Sequence, residues 1–289
     1  MPSILRAALA GALWLALTLG LFACTDTAQS SSGDQSSSPE AEASNASGEA
    51  STSVGSVEMS DLPQGDDPVD LDPADFTTEI DNPYWPMSPG TRWTYNEVDE
   101  EGKNLKVVVI ITRETKKLAN GITARVVRDT VSVDGELIED TFDWYAQDSE
   151  GNVWYMGEDT AEFKNGKITT KKGSWEAGVD GALPGIAMPG DPQPGLAYRQ
   201  EYFQGEAEDN GEILSIEEMA EVPFGQFHNV LLTKDTITIE PDVLEYKLYA
   251  KDVGPVLVFG VSGGGGREEL VKKDKAPRDA GTGPLGTKP

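Results

Sequence analysis

The sequence predicts an all-β domain: a predominantly antiparallel, up-and-down sheet, curved into a half-barrel or open barrel, with a long Gly/Pro-rich loop. Three observations carry this. Short apolar or alternating runs recur at hairpin spacing, with Asn120-Gly121, Asp134-Gly135 and Asn165-Gly166 between them; such pairs suit type I′ turns, whose two central residues need positive φ. Leu244, Tyr246, Leu248 and Ala250 alternate with Glu245, Lys247, Tyr249 and Lys251, the period-two pattern of a sheet with one wet face. Finally, no useful length of chain shows the 3.6-residue apolar period of an amphipathic helix, and no strand–helix–strand alternation argues for a parallel sheet.

Taken in order, residues 1–23 carry one basic residue, Arg6, and an apolar run over 7–22. A charged start, an apolar stretch of this length and small residues before a cut describe a secretory signal peptide better than a membrane span. Leu21-Phe22-Ala23-Cys24 resembles the bacterial lipobox, Leu-x-Ala-Cys. That resemblance implies that Cys24, the single cysteine of the chain, becomes an acylated N-terminus carrying thioether-linked diacylglycerol. Two or more acyl chains anchor a protein stably where one does not. The expectation is an extracytoplasmic lipoprotein held to the bacterial cell membrane. Thr25, standing where an inner-membrane retention signal has Asp, implies the outer membrane in a Gram-negative host.

Net charge is −27 over 289 residues. Residues 24–91 hold fourteen acidic and no basic side chains. Such a chain repels phosphate backbones and anionic headgroups, which argues against nucleic-acid partners. Residues 24–75 read as an acidic, Ser-rich disordered tether, because Ser, Ala, Gly, Glu and Asp cannot bury enough surface to offset their ordering entropy. Asp70, Asp72 and Asp75 lack the Gly and distal Glu of an EF-hand loop.

A single β-sheet domain is expected over 76–272. Pro83, Pro86 and Pro89 hold NPYWPMSPGTRWTY extended as the chain enters the sheet. LKVVVIIT (105–112) is apolar in both registers, as a central strand would be. Residues 122–159 read as a three-stranded meander. If Asp134-Gly135 is a two-residue turn, Val131 faces Ile138, Val127 faces Phe142 and Arg125 faces Trp144; a three-residue loop at 149–151 then sets Trp144 against Met156 and Ala146 against Trp154. This places Val127, Val131, Phe142, Trp144, Trp154 and Met156 on one core face. The same register opposes Asp129 to Asp140, which would destabilise the sheet unless the strand end is solvated, a cation sits between them, or a bulge after Asp134 slips the register.

Residues 174–195 bring Gly or Pro every few positions together with Trp175, Leu183, Ile186, Ala187 and Met188, so they either plug the open end or face of the sheet or cover a ligand site. Further strands are expected over 196–205, 213–221, 227–240, 243–251, 253–261 and 267–272, and 273–289 reads as a disordered tail.

Chemistry-bearing motifs are few. Gly260-Val261-Ser262-Gly263-Gly264 fits Gly-x-Ser-x-Gly, but four glycines follow the serine where a nucleophile elbow needs a helix, and the one histidine, His228, reads as a surface residue. One His and one lipidated Cys argue against zinc or copper sites. No cofactor is called for, although the carboxylate supply is compatible with an all-oxygen calcium or magnesium site, for which Asp129 and Asp140 are the candidates.

The segments NPYWPMSPGTRWTY and YAKDVGPVLVFG, with EDTFDWYAQDSEGNVWYMGED, GSWEAGVDGALPGIAMP and YRQEYFQGEAED between them, resemble an uncharacterised group of bacterial exported proteins and lipoproteins. Domains of that group open on a Pro-rich "yfPl-pG-W-Y" strand and close on a "yA-gvG-v" strand. The resemblance implies a β-rich envelope domain and no assigned activity. Gly254-Pro255 departs from the group's Gly-Leu and suggests an edge strand. The expected function is a non-enzymatic binding or carrier module for an apolar ligand or envelope partner, with Trp93, Trp144, Trp154 and Trp175 as candidate ligand contacts. The alternatives are a carboxylate-based hydrolase of envelope carbohydrate and a structural or assembly factor that docks a basic partner or divalent cation.

Overall fold

The structure is a computed structural model that describes residues 62–287; the expected signal peptide, Cys24 and the expected tether up to residue 61 lie outside the described residues. Fifteen strands form one antiparallel sheet: β1 (Thr91–Val98), β2 (Asn104–Lys117), β3 (Thr123–Val133), β4 (Glu136–Gln147), β5 (Val153–Lys164), β6 (Lys167–Thr170), β7 (Trp175–Glu176), β8 (Leu183–Met188), β9 (Ala197–Arg199), β10 (Glu201–Tyr202), β11 (Asp209–Val222), β12 (Gly225–Ile237), β13 (Glu240–Ala250), β14 (Gly254–Ser262) and β15 (Arg267–Lys275). Among the described residues the only helical turn is a 3-10 turn at Pro73–Asp75.

The order β10-β8-β5-β4-β3-β2-β1-β15-β14-β13-β12-β11-β9 is a meander whose first strand pairs with its last. This makes a nearly closed barrel with one seam, since β9 and β10 are successive pieces of one segment. Ala197, Tyr198 and Arg199 ladder onto β11, and Glu201 and Tyr202 onto β8. Arg199, fully buried, stitches the seam: its guanidinium donates to the carbonyls of Pro184, Gly65 and Asp67, and its backbone N–H to Pro63. Residues 62–67, read from composition as tether, are therefore built into the wall.

The opening segment plugs one end. Asn82 accepts the N–H groups of Tyr84 and Trp85 and donates to Gly151 and Pro189, which aims Trp85 and Met87 into the core. Trp85 meets Tyr145 at 5.7 Å and Tyr249 at 5.5 Å between ring centroids; Tyr145 stacks on Tyr155, and Tyr155 meets Trp175 edge-on. This aromatic belt fills the barrel next to the plug, leaving a cavity of about 10 Å³ lined by Trp85, Met87, Trp93, Val109, Ile111, Val127, Asp129, Asp143 and Tyr145. The Gly/Pro-rich stretch is no plug: it supplies β7 and β8, which pair with β5 as part of the wall.

The meander is present with a corrected register. The Asp134-Gly135 turn is two residues, both at positive φ, with Val133 opposite Glu136. Ile138 then bulges out, so that Val131 faces Glu139 and Val127 faces Asp143. A second irregularity lies between Asp143 and Tyr145. Each extra residue reverses the facing of every later residue in the strand. The six expected core residues are buried or packed against the core, yet they do not share a face.

Two other expectations change. β14 lies between β13 and β15 and is no edge; Pro255 precedes the three residues that pair with β15, so its missing N–H interrupts no bond there. β15 runs to Lys275, and residues 276–287 lie across the outer face instead of forming a loose tail. Arg128, 1% exposed and ion-paired to Asp140, donates to the carbonyls of Gly283, Pro284 and Thr287, while Asp140 accepts the N–H of Gly286.

Candidate functional site

Carboxylates crowd the inside of the barrel. Side chains directly opposite on an antiparallel ladder point to the same face, and like charges placed so destabilise the pair. Four cross-strand pairs are acid against acid: Glu97 and Glu268 on β1/β15, Glu139 and Glu162 as well as Asp143 and Glu158 on β4/β5, and Asp235 and Glu245 on β12/β13. The inward positions are set by the register that carries Trp93 to Val109, Asp129 and Thr141.

Asp235 and Glu245 are relieved by a cation. Lys247, 2% exposed, places its ammonium 2.8 Å from Asp235 and 3.8 Å from Glu245. Asp235 also accepts from Thr233 (2.6 Å) and Gln200 (3.0 Å). Burial works to discharge Lys247, but its two carboxylates outweigh burial and hold the ammonium above its usual range.

Among the described residues, no cation is ion-paired to Asp143 or Glu158. The Tyr155 hydroxyl lies 2.9 Å from Asp143 Oδ1 and 2.8 Å from Glu158 Oε2. A phenol carries one proton and can donate to one carboxylate only. The second short contact therefore needs a proton on the other carboxyl, which donates to the tyrosine oxygen. Burial pushes Asp143 up to about 7, with the tyrosine hydrogen bond opposing the shift. Burial and the neighbouring Asp143 push Glu158 well above the carboxylate range.

At the seam, Glu201 and Asp209 are 2% and 3% exposed and lie close enough for each to act on the other's carboxyl. Two buried carboxyl groups this close disfavour double ionisation, and a proton on one of them relieves the pair. Glu201 also accepts the Trp175 indole N–H at 2.6 Å, and Asp209 Oδ2 receives no donor among the described residues. Burial first, then Asp209, raises Glu201 well above the usual range.

The end opposite the plug is rimmed by Glu97, Glu162 and Glu268, all half-buried, with Glu139 just inside. Burial, then Asp129, Glu162, Asp143 and Glu97, raises Glu139 far above its ordinary value.

The four tryptophans singled out in the sequence do not line one cavity. Trp93 and Trp175 face inward, Trp93 donating to Val253 and Trp175 to Glu201. Trp144 sits outside under the Lys116 ammonium, 3.1 Å from the ring centroid, and Trp154 donates outside to Asp148 and meets Phe76 edge-on. Asp129 and Asp140 are also separated: Asp129 faces Thr141 inside, whereas Asp140 faces Thr130 and reaches Arg128 outside. The bulge at Ile138 is the cause. Ser262 donates to the Asp242 carbonyl, and His228 is exposed on β12. The acid pairs had a readable signal, because Glu139 and Asp143, and likewise Glu158 and Glu162, are spaced by four along strands and so share a face.

No family model and no curated protein matches the chain. Among solved structures it is similar to a crystallised protein of Parabacteroides distasonis described as a candidate lipoprotein, with 12% identity and a TM-score of 0.38, over 67% of this chain and 99% of that one.

Proposed function

We propose that the protein is an extracytoplasmic lipoprotein, anchored through Cys24, whose barrel is a non-enzymatic docking module for a cationic partner. One observation carries the docking role: the rim and interior set Glu97, Glu139, Glu162 and Glu268 as directly opposed pairs, an arrangement that costs stability and concentrates negative potential at one mouth. A carrier for an apolar molecule is less well supported, because the inward space beside Trp93 is filled by the aromatic belt down to about 10 Å³. A glycosidase is less well supported too, since Asp143 and Glu158 are 3% and 6% exposed and tied to the same hydroxyl.

The test is titration of the purified chain with a hexalysine peptide and, separately, with a lysophospholipid. Salt-sensitive binding of hexalysine that falls at least tenfold in a combined E97Q/E162Q/E268Q variant is the expected result. Binding of the lipid alone, or hexalysine binding indifferent to those substitutions, contradicts the reading. Metabolic labelling with palmitate, lost in Cys24→Ser, checks the anchor.

A further inference from the structure

The seam is where the backbone ladder changes partners, and two buried acids, Glu201 and Asp209, stand at it. Segment 197–202 changes partners at Gln200, whose N–H donates to the Asp209 carbonyl at 2.7 Å. Beyond that bond β10 ladders only onto β8, and β11 only onto β9 and β12. Glu201 and Asp209, both buried, stand on the two sides of this gap, beside the Gln200–Asp209 backbone bond. Trp175, opposite Glu158 on β5, couples the seam to the second proton-sharing pair, because its indole holds Glu201 while its ring packs on Tyr155.

We propose that the β8–β11 seam is a proton-operated latch, shut while Glu201–Asp209 and Asp143–Glu158 each share a proton and loosened when those protons leave. Losing the proton leaves two buried carboxylates facing each other at the seam, and two about the single Tyr155 hydroxyl on β4/β5. At the seam no continuous backbone ladder resists the repulsion. The charged groups facing these pairs deepen it: Asp129 from β3, Glu139 from β4, Glu162 from β5, Glu208 and Glu240 flanking Asp209, and Asp235 from β12. Lys247 from β13 opposes it but already serves Asp235 and Glu245. Tyr145 and Tyr155, both buried and raised far above the usual phenol range by burial, stay protonated and add no compensating charge. The elements that loosening would free are short: β9, β10 and the 203–207 turn between β10 and β11.

Hydrogen exchange of the full chain, compared at pH 5.5 and 8.5 after correction for the intrinsic rate, tests this. Residues 197–209 should lose protection at least tenfold at the higher pH, while the β2–β3 ladder keeps its own. Glu201→Gln and Glu158→Gln, singly and together, place an amide donor where the shared proton sits and should hold the seam closed at pH 8.5. Equal protection of 197–209 at both pH values in the unsubstituted chain, or opening of the glutamine variants over the same pH range, overturns the proposal. The unsubstituted chain alone decides the first outcome even if a variant fails to fold.

Discussion

Two acid pairs inside this barrel meet the same difficulty in different ways. Asp235 and Glu245 face each other across β12 and β13 and are held by the Lys247 ammonium; Asp143 and Glu158 face each other across β4 and β5 and are held by a proton shared through Tyr155. A lysine whose basicity is raised keeps its charge from acid to well above neutrality, so the first solution is insensitive to pH in the ordinary range. A proton on a carboxyl near pH 7 is lost at the edge of that range. The same fold therefore contains one permanent and one conditional neutralisation.

The comparison breaks most severely at the lysine. Lys247→Met leaves two buried carboxylates without their cation and should cost about 3–5 kcal/mol at pH 8, and less toward pH 5 as those carboxyls take up protons, read as a shift in denaturant midpoint. The unsubstituted protein should show the second largest effect. Asp143 titrates near 7 in the fold against about 3.9 unfolded, so the folded state binds the extra proton. Stability is then fully present at the acid end of that window and falls as pH rises from about 4 to about 7, by roughly 2–4 kcal/mol at about 1.4 kcal/mol per unit. This slope is opposite in sign to that of a salt-bridged carboxylate, and denaturation at a series of pH values measures it. Tyr155→Phe removes the bridging hydroxyl and should cost about 1–3 kcal/mol, more above pH 7 than below. Glu158→Gln sharpens the comparison with the smallest effect, changing stability at pH 6 by less than about 1 kcal/mol while flattening the pH slope. A Glu158→Gln protein that keeps the full slope would break the assignment of the proton to this pair.

Much of the architecture was legible in the residues. Asp134-Gly135 and Asn165-Gly166 fixed two hairpins because few other pairs accept their backbone angles, with Asp134 and Asn165 both at φ 52°. The alternation at 244–251 gave β13. The bulge at Ile138 was not legible beyond the strain that an Asp129–Asp140 opposition implied; bulged registers depend on what the whole sheet buries, and here the slip sends Asp140 outward to Arg128. Composition also hid the two ends of the domain. Residues 62–67 and 276–287 are rich in Pro, Gly and polar residues, yet they are ordered through carbonyls gripped by Arg199 and Arg128, contacts 132 to 159 positions apart in sequence. The acid-lined interior went unread for a related reason: acidic positions on a strand ordinarily mark the wet face, and only closure of the sheet turns that face inward.

A buried carboxyl of the Asp143–Glu158 pair carries a proton near neutral pH. Infrared difference spectroscopy of the unsubstituted protein against Asp143→Asn and Glu158→Gln at pH 6.5 tests it most directly. A protonated-carboxyl C=O band is expected in the unsubstituted protein, weakened in each variant and fading as pH rises to 8.5. A spectrum with no such band at pH 6.5, or one untouched by either substitution, would contradict it.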